Sequence, residues 1–183
     1  GLADRVLTAG VLGELFLMAD GVDVGRPTEA FMADRDLTRF VDEARELLLE
    51  YRDGIAVPVD VAVVVDGSRR EMSVAELPTN RLIVYIGAST ITSYETVISA
   101  AGTIFVNGPA GAYEHPGSDV GTRRLWEAVA ASPAMTAIGG GDTVASASTY
   151  IDLDDITFVS TGGGALIRYV SGQPLPLFEA FGG

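Results

Sequence analysis

Three glycine clusters hold most of the residues in this chain whose types and spacing could do chemistry. In chain order they are Asn107-Gly108-Pro109-Ala110-Gly111, Gly139-Gly140-Gly141-Asp142-Thr143 and Ser160-Thr161-Gly162-Gly163-Gly164. Glycine lets backbone N–H groups approach a ligand closely. Each cluster follows a short apolar run that we predict to be a strand, and the second and third clusters precede a predicted helix. Since a helix N-terminus offers unpaired N–H groups and a partial positive charge, the clusters predict a phosphate-binding crevice at the ends of parallel strands.

The second cluster ends in Asp142 and Thr143, where the loop turns into a predicted helix. A carboxylate there can coordinate a Mg²⁺ ion that bridges nucleotide phosphates, while the hydroxyl and backbone N–H groups can reach phosphate oxygens. The alternative is structural, because Asp is among the preferred helix N-cap residues. Taken alone, Asp142 fits both interpretations; beside the other two clusters, we favour the metal site.

The remaining polar candidates have weaker signals. Glu114 could accept hydrogen bonds from ribose hydroxyls, or be one more surface acid. Asn107 could donate its amide to a phosphate, or shape a turn before Pro109. His115, the single histidine, fits a loop residue better than a general base. The sequence has no Ser-His-Asp spacing, His-rich metal set or Walker A motif, so the nucleotide hypothesis depends on backbone amides and one acidic residue.

The charge balance narrows the class of protein. Among 183 residues, 25 are acidic and 12 are basic, which gives a formal net charge of −13, and every basic residue is Arg. This balance is typical of halophilic proteins from salt-accumulating cytoplasms, where screening suppresses repulsion between surface carboxylates; skewed codon usage is the alternative. Nonspecific nucleic-acid binding is disfavoured, because it needs clustered cations.

The compartment is also indicated by composition. Cysteine is absent, which excludes disulfides and thiolate metal sites and fits a cytosolic enzyme. No signal peptide is recognisable at the start of the sequence. The uncharged stretch 96–113 contains Asn107, Pro109 and three glycines, so it does not predict a membrane helix. We therefore expect a soluble, cytoplasmic protein with no membrane partner.

Strands and helices are predicted to alternate along the chain and so to position the clusters. The predicted strands are residues 5–8, 82–86, 103–106, 135–138 and 156–159, and the predicted helices include 12–19, 37–52, 90–101 and 117–131, the last with Ser118 as its N-cap. Residues 55–65 predict one bent strand or two short ones, and residues 68–76 a loop or edge structure. This alternation predicts an α/β fold with a Rossmann-like, doubly wound parallel sheet and helices on both faces.

In order and separation, the three clusters resemble the carboxyl-terminal half of phosphoglycerate kinase. Shorter runs agree with this resemblance: Ile86-Gly87 before Thr90, Pro58-Val59-Asp60, and Gly172-Gln173-Pro174-Leu175-Pro176. The resemblance covers essentially the whole chain. It implies that residues 1–183 form the nucleotide-binding domain of a two-domain kinase, monomeric at full length, without its first strand and its amino-terminal substrate domain.

The resemblance implies a role for each candidate residue. Asp142 would ligate Mg²⁺, Thr143 and Asn107 would contact phosphates, and Glu114 would bind ribose. The other residues implied to bind ADP or ATP are glycines and a proline, with Gly10 and Gly87 flanking the adenine: Gly10, Gly87, Gly108, Pro109, Gly140 and Gly141. The catalytic glycines, at a helix N-terminus, would stabilise the transferring phosphoryl group: Gly162, Gly163 and Gly164.

Two departures from the family pattern concern the adenine pocket. The usual Gly-Gly-Gly-Met appears as Ala9-Gly10-Val11-Leu12, and the usual Pro-Lys after Ile-Gly is Ala88-Ser89. Both departures suggest an archaeal-type sequence, in line with the halophilic composition.

The implied activity is Mg²⁺-dependent phosphoryl transfer between 1,3-bisphosphoglycerate and ADP, giving 3-phosphoglycerate and ATP, a step of glycolysis. The missing amino-terminal half would hold the phosphoglycerate, so this chain alone is expected to be inactive. The alternative is a stand-alone nucleotide-binding module without catalysis. A dinucleotide-dependent oxidoreductase is less favoured, because no G-x-G-x-x-G with an acid about twenty residues on follows the first strand.

Overall fold

A computed structural model describes residues 3–112 and 119–175 of the chain. These residues divide into two compact units, the first comprising Ala3–Thr96 and Ala110–Leu125, and the second Val97–Pro109 and the residues from Trp126 onward. Every helix in the described ranges falls short of the length or apolar character needed to span a bilayer. Ser118, the predicted N-cap, lies outside the described residues.

The first unit contains two small sheets. Its strands are β1 (Val6–Leu7), β2 (Ile55–Ala56), β3 (Asp60–Val65), β4 (Ser68–Ser73) and β5 (Ile83–Ile86). Strands β1 and β2 pair in parallel. Strand β3 lies between β4 and β5 and is antiparallel to both. The helices are α1 (Gly10–Ala19), α2 (Arg26–Asp34) and α3 (Val41–Tyr51).

The antiparallel sheet differs from the purely parallel sheet that the alternation predicted. Residues Asp66 and Gly67 both have positive φ, 50° and 73°, as a two-residue hairpin turn requires, so β4 folds back on β3 as an edge strand. Residues 74–82, which include a short 3₁₀ turn (Val74–Glu76), then connect β4 to β5, which pairs with the other edge of β3 and is also antiparallel to it. Apolar runs indicate strands but do not reveal their direction.

Helix α1 lies at the centre of the first unit. On one side Leu15 and Phe16 pack with Met32 of α2 and Leu48 of α3. On the other side Leu17 packs with a buried group from the antiparallel sheet and the loop after α1: Val24, Val61, Val63 and Ile83. Of the two alternatives for residues 55–65, the structure has the two short strands, because Pro58 lacks the N–H that would continue the ladder. Helix α2 was not predicted.

The second unit holds a parallel sheet in the order β6 (Thr103–Asn107), β7 (Met135–Gly139) and β8 (Phe158–Ser160). Two helices follow its strands: α6 (Gly141–Tyr150) and α7 (Gly163–Val170). The α/β fold class, with parallel strands flanked by helices, is confirmed. The chain also forms α4 (Ala88–Ala100) and α5 (Val120–Ala131). Trp126 is buried, and its Nε1 donates a hydrogen bond to Ser146 Oγ at 2.9 Å.

Candidate functional site

The strand register of the second unit brings the three glycine clusters to one edge of the sheet. Asn107, the last residue of β6, is paired in register with Gly139 at the end of β7. Gly139 is in turn paired with Ser160 at the end of β8. Because parallel strands end at the same edge, clusters that are about twenty to thirty residues apart in sequence become neighbours.

The Gly139 carbonyl joins the loops at this edge. It accepts a hydrogen bond from Asn107 Nδ2 at 2.7 Å and another from Thr143 Oγ1 at 2.6 Å. The N–H of Gly108 donates to the same Thr143 hydroxyl at 2.7 Å. The N–H of Gly140 donates to the third cluster, at the Ser160 carbonyl, at 2.9 Å. The predicted site residues of these clusters are therefore assembled by hydrogen bonds within the second unit.

Several of the glycines are required by the fold itself, as Gly140 and Gly163 show. Gly140 has a φ of +105°, a conformation that side-chain-bearing residues rarely adopt. A Cβ on Gly163 would lie 2.9 Å from the Gly140 Cα, so α7 can begin this close to the second loop only without a side chain.

The fold does not require glycine at two other positions. A Cβ on Gly141 or on Gly164 would meet no atom within 4 Å. Glycine in a helix is less stable than alanine by about 0.5–1 kcal/mol, so the packing of the chain would favour alanine at both positions. Their small size leaves the backbone of both helix starts accessible from outside.

The starts of α6 and α7 are open. Their N-cap residues are Gly140 and Gly162, and neither helix has a side-chain cap. Asp142 is exposed in the first turn of α6 and does not act as a cap, so the structural alternative for this residue is not what the structure shows. Unpaired N–H groups and the helix dipole at such ends favour phosphate groups.

Asp142 is the candidate metal ligand that the second cluster predicted, and it belongs to no larger group of ligating side chains among the described residues. The described residues contain no group of three or more His, Cys, Asp or Glu side chains that could hold a metal ion. Mg²⁺ often binds through only one or two carboxylates, with water and substrate phosphates completing its octahedron. An exposed carboxylate beside two open helix starts fits that mode of binding, although it does not form a metal site by itself.

Of the two glycines predicted to flank adenine, Gly87 must be glycine for a structural reason, because a side chain there would collide with Asp60. A Cβ there would lie 2.3 Å from the Asp60 Cγ. The Asp60 carboxylate accepts hydrogen bonds from the N–H groups of Ser89 and Thr90, both at 2.8 Å, and from Thr90 Oγ1 at 2.6 Å. Burial raises the pKa of Asp60, but these hydrogen bonds outweigh it and leave the pKa below its ordinary value.

Gly10, the other of these glycines, begins α1 with a φ of +54°. Helix α1 has no side-chain cap. Glu14, a residue that the sequence analysis missed, lies in the second turn, is only 5% exposed, and has no hydrogen-bond partner for its Oε2 atom. Burial raises its pKa to about 8. The available signal was a carboxylate in the middle of an apolar helical run.

Glu14 borders a small cavity in the first unit. Its volume is about 10 Å³, and its walls include Gly10, Gly13, Pro58 and Tyr85. That volume is close to the space of one water molecule. Glu114, the predicted ribose ligand, and His115 lie outside the described residues.

Comparison with known proteins agrees with the α/β fold and shows which family the chain belongs to. The sequence profile of the phosphoglycerate kinase family matches residues 1–173. The chain is 45% identical over 176 residues to the phosphoglycerate kinase of Methanopyrus kandleri, covering 96% of this chain and 43% of the relative. It is 40% identical over 182 residues to that of Halobacterium salinarum, covering 98% and 45%.

The backbone gives the same result. The crystal structure of phosphoglycerate kinase from Pyrococcus horikoshii aligns with a TM-score of 0.88 and 36% identity, over 97% of this chain and 45% of that chain. This chain therefore belongs to the phosphoglycerate kinase family. It spans less than half the length of the relatives that it matches.

Proposed function

We propose that this chain is the carboxyl-terminal, nucleotide-binding half of a phosphoglycerate kinase. The observation that carries the proposal is the pair of open helix starts in the second unit, where Gly141 and Gly164 are small although the fold does not require it. Two such helix ends, with an exposed carboxylate beside one of them, suit the phosphates of Mg-ADP or Mg-ATP. Family membership supports the same substrate class.

Each residue of the second unit would act by position and charge. The N–H groups at the start of α6, including that of Thr143, would bind phosphate oxygens, and the second N–H of the Asn107 amide is available to another. Gly108, Pro109, Gly140 and Gly141 would let these phosphates approach the backbone. Asp142 would hold Mg²⁺, which when bound neutralises phosphate charge.

The start of α7 would stabilise the phosphoryl group during its transfer. Phosphoryl transfer spreads negative charge over three oxygens, and fixed N–H donors stabilise that charge without reorganising. Gly162, Gly163 and Gly164 form the start of α7. The N–H groups of Gly162 and Gly163 donate within the loop, to Ser160 Oγ at 3.2 Å and to the Thr161 carbonyl at 3.1 Å, so the N–H of Gly164 would be the donor to the transferring group. No protein nucleophile is needed for in-line transfer.

The rest of the nucleotide site is proposed from the family resemblance. Gly10 and Gly87 would contact adenine, and Glu114 would bind ribose. The phosphoglycerate substrate would bind to an amino-terminal half outside this chain. Residues 1–183 would thus form one functional half of a monomeric, cytoplasmic enzyme of glycolysis.

The acidic composition supports a halophilic origin. At 0.01 M salt the Debye length is roughly 30 Å, so thirteen net negative charges repel one another across much of the chain. We expect the melting temperature to rise steeply between dilute and molar KCl. A flat profile would leave skewed codon usage as the better explanation.

Calorimetric titration of the 183-residue chain with ADP tests the proposed function. We expect weak binding that strengthens with Mg²⁺, and no 3-phosphoglycerate-dependent ATP consumption in a coupled assay. A full-length enzyme that contains this chain should consume ATP in that assay. The alternative, a nucleotide-binding module without catalysis, predicts the same binding but no activity at full length. An absence of ADP binding would overturn both.

A further inference from the structure

The Thr143 hydroxyl is buried, and it both donates and accepts a hydrogen bond within the second unit. Thr143 is 2% exposed, at the third position of α6. Its hydroxyl donates to the Gly139 carbonyl at 2.6 Å and accepts from the Gly108 N–H at 2.7 Å. This one atom therefore ties the end of β7 to the first residue after β6.

The hydrogen-bonding capacity of these groups limits what else the hydroxyl can do. A threonine hydroxyl has a single proton, and here that proton is given to Gly139. A phosphate oxygen is an acceptor and would need the same proton. The Gly139 carbonyl also accepts from Asn107, so both of its lone pairs are used while Thr143 remains in place.

We propose that the Thr143 hydroxyl is a positioning group, which fixes the first glycine loop against the second and does not bond to the nucleotide. This inference rests on the proposed function, because the loops it holds are the proposed phosphate site. It changes the role that the family resemblance implied for this side chain, and it leaves only the backbone N–H of Thr143 to face phosphate.

Two substitutions separate the hydroxyl from the shape of the side chain. Thr143→Val keeps the branched shape and removes both hydrogen bonds, whereas Thr143→Ser keeps the hydroxyl. In the ligand-free chain, we expect Thr143→Val to speed hydrogen exchange of the Gly108 amide by about tenfold, and to weaken Mg-ADP binding by about tenfold. We expect Thr143→Ser to change either value by less than about threefold. Thermal melts show that each variant is folded.

Thr136→Val is the matched control. Thr136 is 1% exposed and lies near the other end of the same strand, where its hydroxyl accepts from the Thr157 N–H at 2.9 Å. Loss of this hydroxyl in Thr136→Val should lower the melting temperature about as much as Thr143→Val does. We expect it to leave Gly108 exchange and Mg-ADP affinity unchanged, since Thr136 holds neither glycine loop.

The NMR shift of the Gly139 carbonyl carbon distinguishes a Thr143 hydroxyl that positions the loops from one that contacts the nucleotide. Its NMR shift in Thr143→Val records the loss of one hydrogen bond to that carbonyl. Titrating the unaltered chain with Mg-ADP should not move the shift toward that value, because the bond is kept when nucleotide binds. Movement toward it would mean that the hydroxyl turns to the phosphate, and would overturn the inference.

The remaining outcomes are also decisive. Unchanged Gly108 exchange in Thr143→Val, together with weaker Mg-ADP binding, would overturn the positioning role alone, because the hydroxyl would then act on the nucleotide. A complete lack of Mg-ADP binding by the unaltered chain would overturn the proposed function, and this inference with it.

Discussion

The starts of helices α4 and α6 differ in what satisfies their backbone N–H groups. At α4 the Asp60 carboxylate accepts from Ser89 and Thr90. Glu71 Oε2 accepts from the Ala88 N–H at 3.3 Å. At α6 no side chain caps the helix. Because the first N–H groups of any helix lack intrahelical partners, carboxylates occupy at α4 the positions that α6 leaves open to a phosphate.

This difference shows how to read glycines beside a helix start. Gly87 precedes α4 and must be glycine to make room for Asp60, 2.3 Å from where its Cβ would lie. Gly141 begins α6 with open space around it. A glycine that the fold does not need is the better indicator of a ligand, and only the three-dimensional structure separates the two cases.

Helix α1 differs from both α4 and α6. Its start has no side-chain cap, yet the carboxyl group of Glu14 is buried in its second turn. Burial raises the pKa of Glu14 from 4.5 to about 8. The folded chain then retains a proton that the unfolded chain releases. Its contribution to stability is complete below pH 4.5 and is lost as the pH rises toward 8, by about 1.4 kcal/mol for each pH unit.

Glu14→Gln should remove this part of the pH dependence, since glutamine stays neutral. Urea denaturation of both proteins from pH 5 to pH 8 measures it, as a difference in the free energy of unfolding that grows in favour of the variant. Glu46→Gln, on an exposed position of α3, is the control and should follow the unaltered chain. Equal slopes for Glu14→Gln and the unaltered chain would contradict a buried neutral carboxyl group.

Asp142→Asn tests the open start of α6. Asn keeps a neutral oxygen but loses the charge that holds Mg²⁺ among phosphates. In the full-length enzyme we expect turnover to fall by roughly a hundredfold, about 3 kcal/mol of transition-state stabilisation, with little change in melting temperature. Asp152→Asn is the control, because Asp152 is also exposed but caps a 3₁₀ helix, through the Asp154 N–H at 3.0 Å. Normal kinetics for Asp142→Asn would remove it as the metal ligand.

Asp60→Ala tests the capped start of α4. We expect the free energy of unfolding to fall by about 2 kcal/mol, because buried N–H groups of α4 lose their acceptor. Since the pKa of Asp60 is lowered in the folded chain, its contribution is present above its ordinary value of 3.8 and is lost as the pH falls through the folded value. Chemical denaturation at pH 7 and at pH 3 should therefore show a smaller difference at pH 3. A variant as stable as the original chain at pH 7 would show that Asp60 is not the cap.

Gly164→Ala and Gly163→Ala give the smallest expected changes. Together they distinguish a glycine at the start of α7 that a ligand would need from one that the fold needs. At Gly164 there is room for a methyl group, so the helix should gain about 0.5–1 kcal/mol of stability while Mg-ADP affinity or turnover falls several-fold. At Gly163 the methyl group would meet the Gly140 Cα, so stability itself should fall. Comparing melting temperatures with kinetics in the full-length enzyme separates them. Unchanged kinetics for Gly164→Ala would argue against close approach of the phosphoryl group there.

Local sequence features predicted most of the elements that form the candidate site. The apolar runs before each glycine cluster became β6, β7 and β8, and the glycines of the second and third clusters became the starts of α6 and α7. Periodicity and glycine act over a few residues, so they can be recognised without knowledge of the rest of the chain. The resemblance to phosphoglycerate kinase came from the same local runs, and the family match confirmed the family.

Tertiary structure decided the features that depend on distant partners. Three such features are the antiparallel pairing of β3 with β5, the cap that Asp60 gives to α4, and the burial of Glu14. Each depends on residues that are far apart in sequence. The hydroxyl of Thr143 is similar, since its acceptor is local but its donor, Gly108, comes from a loop 35 residues away. A sequence shows which residues can bond, whereas the packing of strands and helices fixes which partners come within 3 Å and which groups lose contact with water.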